Sequence, residues 1–207
     1  MASVETDWWS AYGPDAVRGD FEDYLEVEAA ATLLFSFEIH LVPGLLQTAE
    51  YQKAILHEGV RSPDDELASA RRDVRQERQS RLDATNDPLS YHAIVHESAL
   101  HLPIGGTDVM RERLEFVLTR SELQNITVQV LPIDAGAYPG MGTAFHLATF
   151  GPDSAEGAYL DNLHYGMYVE EESEIHAYRL AFERLREKAL DPATSVLRIA
   201  DIRDSMT

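Results

Sequence analysis

Histidines and a carboxylate cluster in His96-Glu97-Ser98-Ala99-Leu100-His101, a run that invites comparison with zinc-binding helices whose two histidines stand four residues apart. Here the spacing is five, which on a helix turns the second imidazole about 140° from the first, so the pair cannot share a metal. His92 and His96 do have the spacing of four, yet on a strand they project from one face about 13 Å apart, too far for joint ligation. Neither a metal site nor a cofactor is expected. In strand register Glu97 shares a face with Tyr91, Ala93 and Val95, opposite His92, Ile94 and His96. A half-buried carboxylate there could have a raised pKa and act as acid or base, or it could pair with an arginine.

Arginines are at hand in Arg71, Arg72, Arg75, Arg78 and Arg81. Arg71, Arg75 and Arg78 form one helical stripe, with Val74 and Leu82 flanking that face. The stripe admits three readings: ion pairs with this chain's own acids, a site for an anionic ligand, or a partner interface. Elsewhere, the loop 134–142, with Tyr138 among its glycines, and a strand carrying Tyr159, Asp161, His164 and Tyr165 could together edge a pocket. Pro103-Ile104-Gly105-Gly106-Thr107 could offer backbone amides to an anion, but it lacks the lysine and spacing of a nucleotide loop. No nucleophile with an adjacent base is visible.

The elements that position these groups follow from periodicity. Trp8, Trp9 and Tyr12 form an aromatic cluster ending near Gly13-Pro14 that should pack on the body. A helix is expected over 17–34, with Phe21, Tyr24, Leu25, Ala29 and Thr32 inward and Glu26 and Glu28 largely toward solvent. Residues 35–41 read as extended or as more helix. Pro43-Gly44 then makes a turn before a helix over 45–57, with Leu45, Ala49, Ile55 and Leu56 inward. Ser62-Pro63 opens the arginine-bearing helix, which runs to about Asp83. Beyond Asn86-Asp87-Pro88 the period shortens: a strand over 89–96, a helix over 108–124 and a strand over 126–133 suggest a parallel crossover. Strands over 143–150 and 157–169 form an antiparallel meander, and helices over 172–190 and 193–206 close the chain. The fold class is therefore α+β: an N-terminal helical segment packed on a mixed sheet, with C-terminal helices. One domain spans 1–207, divided into a helical part (1–86), a sheet-containing part (87–170) and C-terminal helices (171–207).

Hydrophobic residues make up 44% of 207 positions, enough for a sizeable core. The absence of cysteine excludes disulfides and thiolate chemistry and fits a reducing cytoplasm. No apolar run is long enough to span a bilayer and no export signal opens the chain, so a cytoplasmic protein without membrane contact is expected. Net charge is −19, and residues 1–50 hold ten acids against Arg18. Such a surface repels phosphate backbones, so direct nucleic-acid binding is not expected.

The run Val42-Pro43-Gly44-Leu45-Leu46-Gln47-Thr48 with Tyr51 resembles the signature of the DUF5753 family, the C-terminal domain of actinobacterial helix-turn-helix regulators also called Scr1-type or antitoxin-like. The neighbourhood of Glu28, the arginine-rich helix, His96 to Leu100 with Pro103 and Gly105-Gly106, Val128 to Pro132, Gly136 to Gly140 with Phe145, and the helix with Tyr178, Phe182 and Leu185 are similar too. The resemblance covers about Trp8 to Leu190. Family members usually place a Cro-like DNA-binding domain ahead of this segment, and these residues hold none. The resemblance implies regulation through a small ligand or a small partner protein, in a possible homodimer, and it brings no catalytic residues. Two functions are therefore expected: a regulatory sensor or effector domain that does not itself bind DNA, or a stand-alone member recruited as an enzyme of specialised metabolism. The enzyme would use a pocket between the sheet and the arginine-bearing helix.

Overall fold

A computed structural model describes residues 7–17, 19–58, 65–151, 155–161 and 166–206. Its centre is a six-stranded mixed sheet of order β3-β2-β1-β4-β5-β6. β1 (Leu33–Glu38), β2 (Ser90–His96) and β3 (Ile126–Leu131) run parallel, and β4 (Phe145–Phe150), β5 (Ala155–Asp161) and β6 (Gly166–Val169) continue antiparallel from β1. β1 is thus the seam between the two halves. Residues 35–38, from the stretch read as extended or as more helix, are extended and form most of this central strand, and only its first residues, Leu33 and Leu34, come from the segment expected to be helical. The strand expected over 157–169 is two, β5 and β6, paired with each other.

Register assigns every side chain to a face. Leu34, Ser36 and Glu38 of β1 share one face with Tyr91, Ala93 and Val95, with His146 and Ala148, and with Tyr159 and Asp161. The helices α1 (Gly19–Ala30), α2 (Ala49–His57), α3 (Asp65–Ser80), α4 (Glu97–His101), α5 (Thr107–Arg120) and α7 (Pro192–Ser205) contribute to this side. Here Leu34, Leu45, Leu46, Tyr51, Val95, Leu114, Val117, Val128 and Ile199 form the larger core. Right-handed crossovers that add β2 and then β3 in one direction place both connections on the same face. The opposite face, with Phe37, Ile94, Phe145, Leu147 and Leu160, is closed by Ile175, Phe182 and Leu185 of α6 (Glu172–Lys188).

Two local features anchor the ends. Trp9 of a 3-10 turn (Trp8–Tyr12) is buried with Val17, Leu25 and Val74, so the aromatic pair packs on the body as expected. Asp191 caps the start of α7: its carboxylate accepts the Thr194 N–H at 3.0 Å, with Pro192 in the first turn. The Ser62-Pro63 helix start lies outside the described residues. Among the described residues, no helix is long and apolar enough to cross a membrane.

Candidate functional site

Residues 42–51 fold into a turn that satisfies its own backbone. Tyr51 Oη accepts the Val42 N–H at 3.2 Å, and Gln47 Nε2 donates to the Val42 carbonyl at 2.7 Å. Pro43 and Gly44 carbonyls accept from Leu46 and Gln47, closing a single 3-10 turn (Gly44–Leu46) before α2. α3 supplies the rest, since Gln79 Nε2 donates to the Leu45 and Gln47 carbonyls and Arg75 Nη1 donates to the Gly44 carbonyl at 2.7 Å. Gly44 is required for space: a Cβ there would sit 2.7 Å from Arg75 Nη1 and 3.5 Å from Arg78 Nη2. Ala49, expected inward, is exposed, and Tyr51 and Gln52 are the buried residues of α2.

Beneath this turn lies a layer of charge between the helices and the sheet. Arg78 grips Glu28 with two bonds of 2.7 Å, from Nε to Oε1 and from Nη2 to Oε2, and Tyr24 Oη donates to the same carboxylate at 2.9 Å. Glu28 is buried, contrary to the solvent side expected for it, because the partner that makes burial tolerable comes from another helix. Burial alone would raise the Glu28 pKa, but the Arg78 charge and hydrogen bonds outweigh it and hold the carboxylate below its usual range. The Tyr24 ring stands 4.8 Å from Tyr159 and 5.1 Å from His146, and Ser36 Oγ lies 2.8 Å from His146 Nδ1. Burial, aided by the Arg78 charge, pushes His146 down to about 4, so its ring is neutral.

The neighbouring charges are not balanced in this way. Arg113 of α5 is fully buried at 0% exposure, its guanidinium 5.0 Å from the Tyr51 ring centroid, and its Nε, Nη1 and Nη2 have no hydrogen-bond partner among the described residues. Arg75 binds the Gly44 carbonyl through Nη1 while its enclosed Nε has none. Burial lowers both arginines to about 9; the Arg78 charge adds to the effect at Arg75, and the Arg75 charge adds at Arg113. The Glu28 charge acts on Arg75, and to a smaller extent so does that of Glu38 at the end of β1, yet burial and the nearby Asp161 charge push Glu38 up to about 8. At neutral pH, then, the charges of Arg75, Arg78 and Arg113 are met by ionised Glu28, while Glu38 stays mainly uncharged.

The sequence-predicted residues divide on this geometry. Arg75 and Arg78 form the layer, Tyr159 abuts it through Tyr24, and Asp161 acts electrostatically on Glu38. Arg71, on the same helix, reaches outward to the Asp15 carbonyl at 3.2 Å. Glu97 is not a strand residue: it opens α4, pairs with Arg198 Nη1 at 2.6 Å and accepts the Ile133 N–H at 3.0 Å. These partners lower its pKa against the opposing effect of burial, so the raised value considered for it does not occur, and its arginine comes from α7. Tyr138 packs on the far face against Phe37 and His96, and His164 lies outside the described residues. Sequence reasoning missed Arg113, Glu38 and His146, and took Tyr51 only as a mark of the turn motif. Arg113 had a signal, because it stands in line with Met110, Leu114 and Val117 on the apolar stripe of α5.

The open cleft of about 470 Å³ lined by His92, Thr127, Gln129, Arg186 and Asp191 carries less chemistry. Several of its polar groups are already engaged: His92 with Gln129 at 2.7 Å, Arg186 with Glu183 and Asp191 with Thr194. Among known proteins, no curated protein and no solved structure matches the chain. The model of a family described as a domain of unknown function matches residues 21–201, which include the turn, the arginine layer and every strand, and the chain belongs to that family, DUF5753.

Proposed function

We propose that the protein is a regulatory sensor domain, the effector part of a transcriptional regulator of the Scr1-type, antitoxin-like kind, which receives a small molecule at the arginine layer and does not itself bind DNA. One observation carries this reading: the buried Arg113 guanidinium with every nitrogen unpartnered among the described residues. A buried polar group left without a partner costs roughly 1–3 kcal/mol, more when charged, and proteins satisfy nearly all such groups. A retained exception has a use, and completing the arginine's bonds with a ligand is the simplest one. α3 offers a route for the signal, since it points Arg75 and Arg78 inward while Val74 packs on Trp9 and Arg71 holds the Asp15 carbonyl.

The alternative role as an enzyme draws support from Glu38, whose raised pKa near Arg75 and Asp161 suits an acid or base. Glu38 Oε1 stands 3.8 Å from His146 Nε2, and Ser36 Oγ lies 2.8 Å from His146 Nδ1, so a hydroxyl and an imidazole accompany the carboxyl group. The sensor reading is favoured because Ser36 is fully buried, closed off from a substrate. To test it, protein isolated natively from its host is denatured and the released small molecules are identified by mass spectrometry. A molecule recovered near one per chain from wild type and lost in Arg113→Met supports sensing. Indistinguishable, empty profiles from both contradict it, and conversion of the released molecule by wild type but not by Glu38→Gln favours the enzyme.

A further inference from the structure

We propose that the occupant of the arginine layer carries a small oxyanion, a single carboxylate or phosphate group, held between Arg113 and Arg75 beneath the turn of residues 42–48. This assignment rests on the sensor reading and names the chemistry of its ligand. Three observations support it independently of one another.

The first is donor geometry. A guanidinium presents its N–H groups as a planar fork that matches two oxygens of one carboxylate or phosphate. In Arg113 the whole fork is unused, and in Arg75 the Nε remains after Nη1 has bonded to Gly44. A neutral hydroxyl or amide group could satisfy one such donor but would leave the charge unbalanced.

The second is charge. Arg75, Arg78 and Arg113 bring three positive charges into one buried region against the single negative charge of Glu28, which is hydrogen-bonded to Arg78 and also acts electrostatically on Arg75, so a net positive charge remains. Glu38, mainly protonated at neutral pH, adds little negative charge to balance the arginines. One dianion, or one monoanion with partial ionisation of Glu38, restores balance.

The third is size. The chain as a whole carries −19, so a long polyanion is repelled before contact. Only a compact anion combines weak repulsion by the surface with strong attraction inside. The turn itself limits the space, because Arg75 and Arg78 already occupy the volume above Gly44.

The test is calorimetric titration of the full-length chain, dialysed free of small molecules, with acetate, succinate and inorganic phosphate at matched ionic strength. Wild type, Arg113→Lys and Arg113→Met are compared after circular dichroism has shown equal helix content. Saturable binding of one anion per chain is expected for wild type, at least tenfold weaker in Arg113→Lys, which keeps the charge but loses the fork, and abolished in Arg113→Met. Preference for phosphate or for the carboxylates assigns the group. Absence of saturable heat with all three anions, or equal affinity in Arg113→Met, overturns the proposal. If a neutral molecule is recovered from native protein in an Arg113-dependent manner while the anions give no heat, the anion assignment falls and sensing stands; if neither is found, both fall.

Discussion

Arg75 occupies the space that a side chain at Gly44 would need, and it donates a hydrogen bond to the carbonyl of that same residue at 2.7 Å. The glycine of the turn thus makes room for an arginine 31 positions later, whose guanidinium would have to shift to admit a side chain. Gly44→Ala is expected to cost about 1–3 kcal/mol in urea denaturation. In Arg75→Ala the same substitution should cost much less, giving a coupling energy in a double-mutant cycle. Equal costs in the two backgrounds would separate the residues.

Tyr51 fixes the other end of the turn by accepting the buried Val42 N–H. Tyr51→Phe removes that acceptor and leaves a buried donor, so a loss of about 1–3 kcal/mol is expected. Faster hydrogen exchange at the Val42 amide should accompany it. An unchanged exchange rate would show that the amide finds another acceptor.

Glu38 gives stability a specific pH dependence. Its folded pKa, raised from 4.5 to about 8, means that between these values the folded state holds a proton the unfolded state has released. Its contribution is full below about 4.5 and is lost as pH rises toward 8, at up to ~1.4 kcal/mol per pH unit. His146, lowered from 6.5 to about 4, acts oppositely, gaining stability as pH rises through that range. The two effects offset each other between about 4.5 and 6.5, and Glu38 alone acts from about 6.5 to 8. Glu38→Gln should flatten the decline over this upper interval in urea midpoints measured across pH. A decline of the same slope in the variant would place its origin elsewhere.

Glu97 should behave as a structural residue. It joins α4 to α7 through Arg198 and accepts a hydrogen bond from the Ile133 amide, and no bond links it to Arg75 or Arg113 among the described residues. Arg198 is 44% exposed, so solvent weakens the pair, and Glu97→Gln is expected to cost about 1 kcal/mol, mainly through the amide bond. Anion affinity should not change. A tenfold loss of affinity in this variant would tie α7 to the site.

Much of this fold is legible in the chain because several elements obey one period. β2, β3, α5, α6 and α7 each lie close to the expected spans. β1 is obscured since Ser36 and Glu38 interrupt its apolar run on the face turned toward the charge layer, while Phe35 and Phe37 serve the other face. The site was half legible. Arg75 and Arg78 declare themselves as a stripe, whereas Glu28 looks like an ordinary solvent-facing acid until Arg78 arrives from 50 residues away. Arg113 is hidden for the same reason, since its neighbours Tyr51 and Arg75 belong to other helices.

The most direct measurement is the stability of Arg113→Met against wild type, by urea denaturation at pH 7 in chloride buffer free of oxyanions. If Arg113 is kept for a ligand, an apolar side chain of similar length removes an uncompensated buried charge, and the variant should be more stable by about 1–4 kcal/mol. A variant less stable than wild type by a similar amount would mean that the guanidinium holds the fold together, and the arginine layer would then be architecture and not a binding site.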